Sequence, residues 1–176
     1  MTLYTALLAE IKNEYPEFRL TSKSTSWFMK LCNFLLMGIT FGQLKTFMGQ
    51  MTTTIGYTIY TPSEWDLWSD AVKTSILRHE RVHMKQRKDK GSFWFSLSYL
   101  LLPLPLFCAY FRMKYEMEAY EESMRARYET AGKKAFNPVY RIEMIERFTG
   151  ASYFWTWLGR GRIEEWYDAT VTKICS

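Results

Sequence analysis

The chain has 176 residues, enough for one domain with a buried core, and at 48% hydrophobic and 23% charged it is no disordered tail. A net charge of +5 allows an anionic partner but is too mild to demand nucleic acid. Three cysteines, Cys32, Cys108 and Cys175, lack the short spacings of a disulfide framework or a cysteine zinc site, and fit free thiols in a reducing compartment. Aromatics reach 18%, which favours a core of large rings and some surface that meets a partner or a lipid interface.

Leu3, Leu7, Leu8 and Ile11 recur at helical spacing, so a helix is expected over 2–14, capped by Thr2 and ended by Tyr15-Pro16. This start lacks the apolar core and cleavage site of a secretory signal, and the expected location is cytoplasmic, with the membrane periphery as the alternative. Phe18 to Leu20 offers a short strand. Ser24 to Ser26 supply caps for a helix over 25–37, closed by Gly38 and Gly42. The β-branched and aromatic run that follows predicts strands at 46–54 and 57–61, turning at Gly56. Thr61-Pro62-Ser63-Glu64 reads as a capping box with proline at N1, leading to a helix most regular over 71–89. Residues 106–131 read as a long helix ending at Gly132, and Asn137-Pro138 opens another to about Phe148. An aromatic loop holding Tyr153, Phe154, Trp155 and Trp157 precedes a last helix over 162–174.

The chain has only two histidines, and they stand in His79-Glu80-Arg81-Val82-His83. On a helix, positions i and i+4 share a face, so both imidazoles reach one metal ion. Glu80 beside them can hold a water whose pKa zinc lowers to roughly 7, and can take its proton. Chance produces this pattern from two histidines on the order of once in a thousand such sequences. The competing reading is a solvated charged helix, given Arg78, Arg81, Lys85, Arg87 and Lys88 nearby.

A zinc site of this type needs a third protein ligand. No histidine remains and no cysteine is near, so a carboxylate must serve. Residues 115–122 (YEMEAYEE) carry four of them, on a helix whose bland reading is an ordinary acidic face. Ala119 supplies a small residue where two helices must close.

The pattern resembles the gluzincin class of zinc metallopeptidases, in which His-Glu-x-x-His lies on one helix and the third ligand is a Glu on a later one. In several such families that Glu stands three residues before a small residue, which an Asp often follows. The resemblance selects Glu116, with Ala119 as the small residue, ahead of Glu118 and Glu121. Tyr120 replaces the Asp, leaving its hydroxyl as the group to orient His79. A wider resemblance rests on residues 53–62 (TTIGYTIYTP), 77–83 (LRHERVH), 115–120 (YEMEAY) and 146–150 (ERFTG). These are similar to a group of small bacterial and phage proteins assigned as metallopeptidases, a group without a settled substrate. The gluzincin likeness further implies a strand before the metal helix that pairs with an extended substrate, matched here by Tyr57 to Tyr60. It also implies a donor to the developing oxyanion, for which Tyr153, Arg141 and Tyr57 are the candidates.

Residues 93–111 hold no charge, and basic residues flank them. Pro103 and Pro105 oppose one straight span. A bilayer crossing would also separate His83 from Glu116 by roughly 30 Å, too far for one ion. The segment is therefore expected to turn back, as a buried hairpin or a monotopic dip into a membrane surface.

The expectation is a single, mostly helical α+β zincin-like domain over 1–176. A small antiparallel sheet packs on the His-Glu-x-x-His helix, a second helix bears Glu116, and residues 91–111 form an uncharged insert. The expected function is zinc-dependent hydrolysis of a peptide or protein substrate, with His79, His83 and Glu116 holding Zn2+ and Glu80 as general base. The rival readings are a non-catalytic zinc-stabilised or assembly module and a peripheral membrane protein. No specific nucleic-acid partner is expected.

Overall fold

Thr2 starts the first helix, its Oγ1 accepting the Thr5 N–H at 3.3 Å. The computed structural model describes residues 2–39, 46–95, 109–150 and 159–176, with the backbone alone at 39, 109 and 110. Two compact units are present, Met1–Glu80 and Arg81–Ser176.

In the first unit, helix α1 (Leu3–Glu14) buries Leu7 and Ile11 and stops at Tyr15-Pro16. Strand β1 (Arg19–Ser22) leads through a 3-10 turn (Lys23–Thr25) to helix α2 (Trp27–Ile39). Ser26 precedes α2 and its Oγ accepts the Met29 N–H at 3.3 Å. Gly38 lies inside α2 and does not close it, while Gly42 falls outside the described residues. Strands β2 (Thr53–Ile55) and β3 (Thr58–Thr61) form a hairpin that turns at Gly56, whose φ of 66° suits glycine. Buried Phe18, Met29, Ile59, Trp65 and Leu77 supply the apolar interior. Tyr15 stacks on Tyr57 at 5.4 Å between ring centroids.

The sheet has three strands in the order β1-β3-β2. It is mixed, which corrects the antiparallel expectation. β2 pairs antiparallel with β3, Thr53 opposite Tyr60 and Ile55 opposite Thr58. β1 pairs parallel with β3, Arg19 opposite Thr58 and Ser22 opposite Thr61. Parallel neighbours need a long crossover, and the connection containing α2 provides one.

The expected strand from 46 is also shorter, because residues 46–50 form a turn. A buried lysine organises that turn. Lys23 has no exposed surface, and its Nζ donates to the carbonyls of Phe47 and Met51, each at 2.7 Å. The same ammonium stands 3.7 Å from the centre of the Phe47 ring. From the other side, the N–H groups of Ser63 and Glu64 donate to the carbonyls of Met48 and Gly49. These bonds overturn the expected capping box at 61–64. Thr61 is still paired in β3, and the two N–H groups that a helix start would offer are taken by the turn. A 3-10 turn (Trp65–Leu67) intervenes, and helix α3 (Asp70–Lys90) begins after Ser69, whose Oγ accepts the Val72 N–H at 3.4 Å.

Among the described residues, the second unit holds the C-terminal part of α3, a helical run over 92–95, and three longer helices. These are α4 (Ala109–Ala131), α5 (Pro138–Thr149) and α6 (Arg160–Cys175), with a 3-10 segment (Gly132–Phe136) between α4 and α5. Gly91 and Gly132, at φ 80° and 57°, end α3 and α4 in the left-handed region. Asn137 caps α5 by accepting the Tyr140 N–H at 3.0 Å, with Pro138 at N1. The core combines Met113, Met124, Met144, Ile145, Phe148, Ile163 and Tyr167, and Met84 on α3 is also buried. Phe148 packs edge-on against Trp166 at 5.1 Å and Tyr120 at 5.4 Å. The centre of the uncharged stretch, 96–108, lies outside the described residues. No helix among the described residues is long and apolar enough to cross a membrane.

Burial pushes the Lys23 ammonium down from 10.5 to about 8. Between those values the unfolded chain holds a proton that the folded chain has shed. The Lys23 contribution to stability therefore rises with pH across that window. Urea unfolding should show wild type gaining on Lys23→Met by up to about 1.4 kcal/mol per pH unit there. A stability difference that stays flat with pH would refute a desolvated Lys23.

Candidate metal centre

Helix α3 sets His79 and His83 at i and i+4, on one side of the helix. Helix α4 carries Glu116, followed one turn later by Ala119, which has no exposed surface. His79, His83 and Glu116 each offer a ligand atom, and all three atoms lie within 4.8 Å of one another. His83 and Glu116 are buried, at 7% and 3% exposed, and His79 is half-buried.

The donor set suits a divalent ion. His83 Nε2 and Glu116 Oε1 are 3.6 Å apart. Two ligands of a tetrahedral ion with bonds of about 2.0–2.1 Å stand roughly 3.3–3.4 Å apart, so little movement is required. Two imidazoles and one carboxylate match the ligand count of an open, three-ligand zinc site. Zinc is not the sole ion such ligands accept.

His83 is held from behind. Its Nδ1 meets Gln86 Oε1 at 2.9 Å. The Gln86 amide nitrogen donates to the Tyr115 carbonyl at 3.1 Å and to Glu118 Oε2 at 2.7 Å. Both are acceptors, so the amide cannot be turned over, and Oε1 must face His83. It follows that Nδ1 carries a proton and that Nε2 is the nitrogen directed at Glu116. The imidazole also lies against buried Phe95, 6.4 Å between ring centroids, and Phe95 lies against Tyr115 at 5.4 Å.

The other carboxylates of 115–122 are engaged elsewhere. Glu118 is exposed and bonds to Gln86. Glu121 pairs with Arg125 at 2.9 Å and with Lys173 at 2.6 Å, and Glu122 pairs with Arg125 at 3.5 Å. Glu80 follows His79 on α3 and is half-buried. The Tyr120 hydroxyl accepts from Arg147 Nη1 at 3.1 Å. Arg141 makes a two-pronged contact with Asp168, at 3.0 and 2.8 Å, and that hydrogen bonding holds the Asp168 carboxyl below its usual range. Tyr57 packs on Tyr15, and Tyr153 lies outside the described residues.

One implied role is corrected. The strand at Tyr57 to Tyr60 was expected to pair with an extended substrate. β3 is the central strand, with β1 bonded along one side and β2 along the other, so no free edge remains for a peptide. Gln86 was not singled out by its sequence, although it stands three residues after His83, on the same helical side.

Loss of a ligand should cost more than the 10–100-fold typical of an outer partner. His83→Ala and Glu116→Gln should each lower zinc affinity by more than 100-fold in chelator competition. Glu121→Gln should leave it unchanged. Full zinc binding by Glu116→Gln would remove that residue from the centre.

No protein-family model matches the chain, and neither a curated protein nor a solved structure matches it. The cluster of His79, His83 and Glu116 on helices is consistent with a metal site of the His-Glu-x-x-His kind.

Proposed function

We propose that the protein is a zinc-dependent metallopeptidase, with His79, His83 and Glu116 as metal ligands and Glu80 as general base. The observation that carries this reading is the convergence of the chain's two histidines with one buried carboxylate from another helix. A purely structural site closes its fourth position with a protein ligand, and among the described residues the cluster contains three.

His79, His83 and Glu116 would hold the zinc ion, which would supply Lewis-acid activation of water and of the scissile carbonyl. Glu80 accepts the proton from the attacking water and delivers it to the leaving amine, which is why a carboxylate adjoins the first histidine. His83 stays oriented through its bond to Gln86. Peptide or protein is the substrate class that the motif favours.

The test is cleavage of a peptide library by purified protein, with and without a chelator, alongside metal content. Glu80→Gln should keep about one zinc per chain and the wild-type fold while hydrolysis falls by 100-fold or more, roughly the contribution of a general base. Wild-type turnover in Glu80→Gln on a verified substrate would rule out the base assignment.

A contact with a membrane surface through 93–111 is a second reading, favoured by Phe93 and Trp94, which stand 71% and 66% exposed beside basic Arg87, Lys88 and Lys90. Vesicles containing phosphatidylserine should then retain the wild-type protein in co-sedimentation and release Phe93→Ser/Trp94→Ser. Equal retention of both proteins would exclude this segment as the contact.

A further inference from the structure

We propose that Gln86 is a positioning residue for the metal centre and that it couples Glu118 to His83. The proposal rests on the metal-centre reading and deepens it. The atoms form one chain. Glu118 Oε2 accepts from Gln86 Nε2 at 2.7 Å, and Gln86 Oε1 accepts from His83 Nδ1 at 2.9 Å. At the far side of the same ring, His83 Nε2 stands 3.6 Å from Glu116 Oε1.

Each bond constrains the next. Gln86 is only 5% exposed, so its amide must find partners within the protein. The Tyr115 carbonyl and the Glu118 carboxylate take both amide hydrogens, and Oε1 has His83 as its partner. A carboxylate drawing on the amide hydrogens makes Oε1 a better acceptor. A better acceptor at Nδ1–H makes Nε2 a stronger ligand and fixes the plane of the ring. Glu118 therefore acts on the centre without touching it. Its Oε2 fulfils, through an amide, the function that a carboxylate bonded directly to a ligating histidine performs in other metal sites.

The arrangement also ties the ligand helices together. Gln86 on α3 bonds to Tyr115 and Glu118 on α4, and these two residues flank Glu116. One side chain thus sets the orientation of one ligand and the placement of the segment that supplies another.

The test is zinc affinity by chelator competition in four proteins, with the Co2+ absorption spectrum as a second readout. Gln86→Met preserves length and shape but removes every bond, and should lose 10–100-fold in zinc affinity. Glu118→Gln should lose less, because a glutamine oxygen still accepts from Gln86. The exchange Gln86→Glu/Glu118→Gln is decisive. The new carboxylate accepts from His83 and from the new amide, but it also sets an oxygen against the Tyr115 carbonyl, a repulsion that offsets part of the gain. It should bind zinc more tightly than Gln86→Met and keep the wild-type Co2+ spectrum. Wild-type zinc affinity in Gln86→Met, or an exchange variant without bound metal or as weak as Gln86→Met, would reduce Gln86 to a packing residue. Should Gln86→Met fail to fold, the exchange variant still decides. A wild-type protein that binds no zinc would instead overturn the metal-centre reading itself, which is a different result.

Discussion

A carboxylate taken almost wholly out of water survives only with a partner, and Glu116 is such a group. One partner that the described residues offer is His83 Nε2 at 3.6 Å, itself buried. Much of the centre follows from that pairing. The imidazole must present one particular nitrogen, so its other nitrogen needs an acceptor. Here that acceptor is an amide oxygen whose own hydrogens are already committed. Burial of one acid thus propagates into a requirement on His83, Gln86, Tyr115 and Glu118 in turn. A divalent ion among the three ligands would give the buried carboxylate a coordinated positive charge as its partner.

Another buried ion appears in the first unit, handled with different chemistry. Among the described residues no carboxylate pairs with the Lys23 ammonium. Two backbone carbonyls and an aromatic face stand in for water. Because those carbonyls belong to Phe47 and Met51, the lysine shapes the approach to the β2–β3 hairpin. The turn in its grip then occupies the N–H groups of Ser63 and Glu64, which delays the start of α3 to Asp70. A single long side chain from near β1 sets where the next helix can begin.

Local signals were legible in the sequence. Thr2, Asn137 with Pro138, Gly132 and the Gly56 turn all act where their chemistry places them, because capping and left-handed turns involve neighbours only a few residues away. The His79–His83 spacing is equally local. Glu116 was reachable because only a few carboxylates follow on a helix and the gluzincin resemblance singles out the one a turn before a small residue. What stayed hidden depends on distant partners. The parallel pairing of β1 with β3 leaves no mark on residues 19–22 or 58–61. A lysine at 23 looks like any surface lysine until residues 47 and 51 surround it. Thr61-Pro62-Ser63-Glu64 carries a helix-start signature that loses to hydrogen bonds from a turn more than ten residues earlier. Gln86 reads as one more polar residue in a charged helix, since its role needs Glu118 in place.

The sulfur content of the interior has a chemical consequence. Met29 is sealed within the first unit, and Met84, Met113, Met124 and Met144 are sealed within the second, whereas Met51 is 43% exposed. Thioethers adapt well to irregular cores but become polar sulfoxides when peroxide reaches them. Met51 is open to oxidant in the native state, while each sealed methionine reacts only when its surroundings open. The molecule therefore carries its own clock for each half of the chain. The order in which these thioethers gain oxygen registers which half loosens first, without any added label.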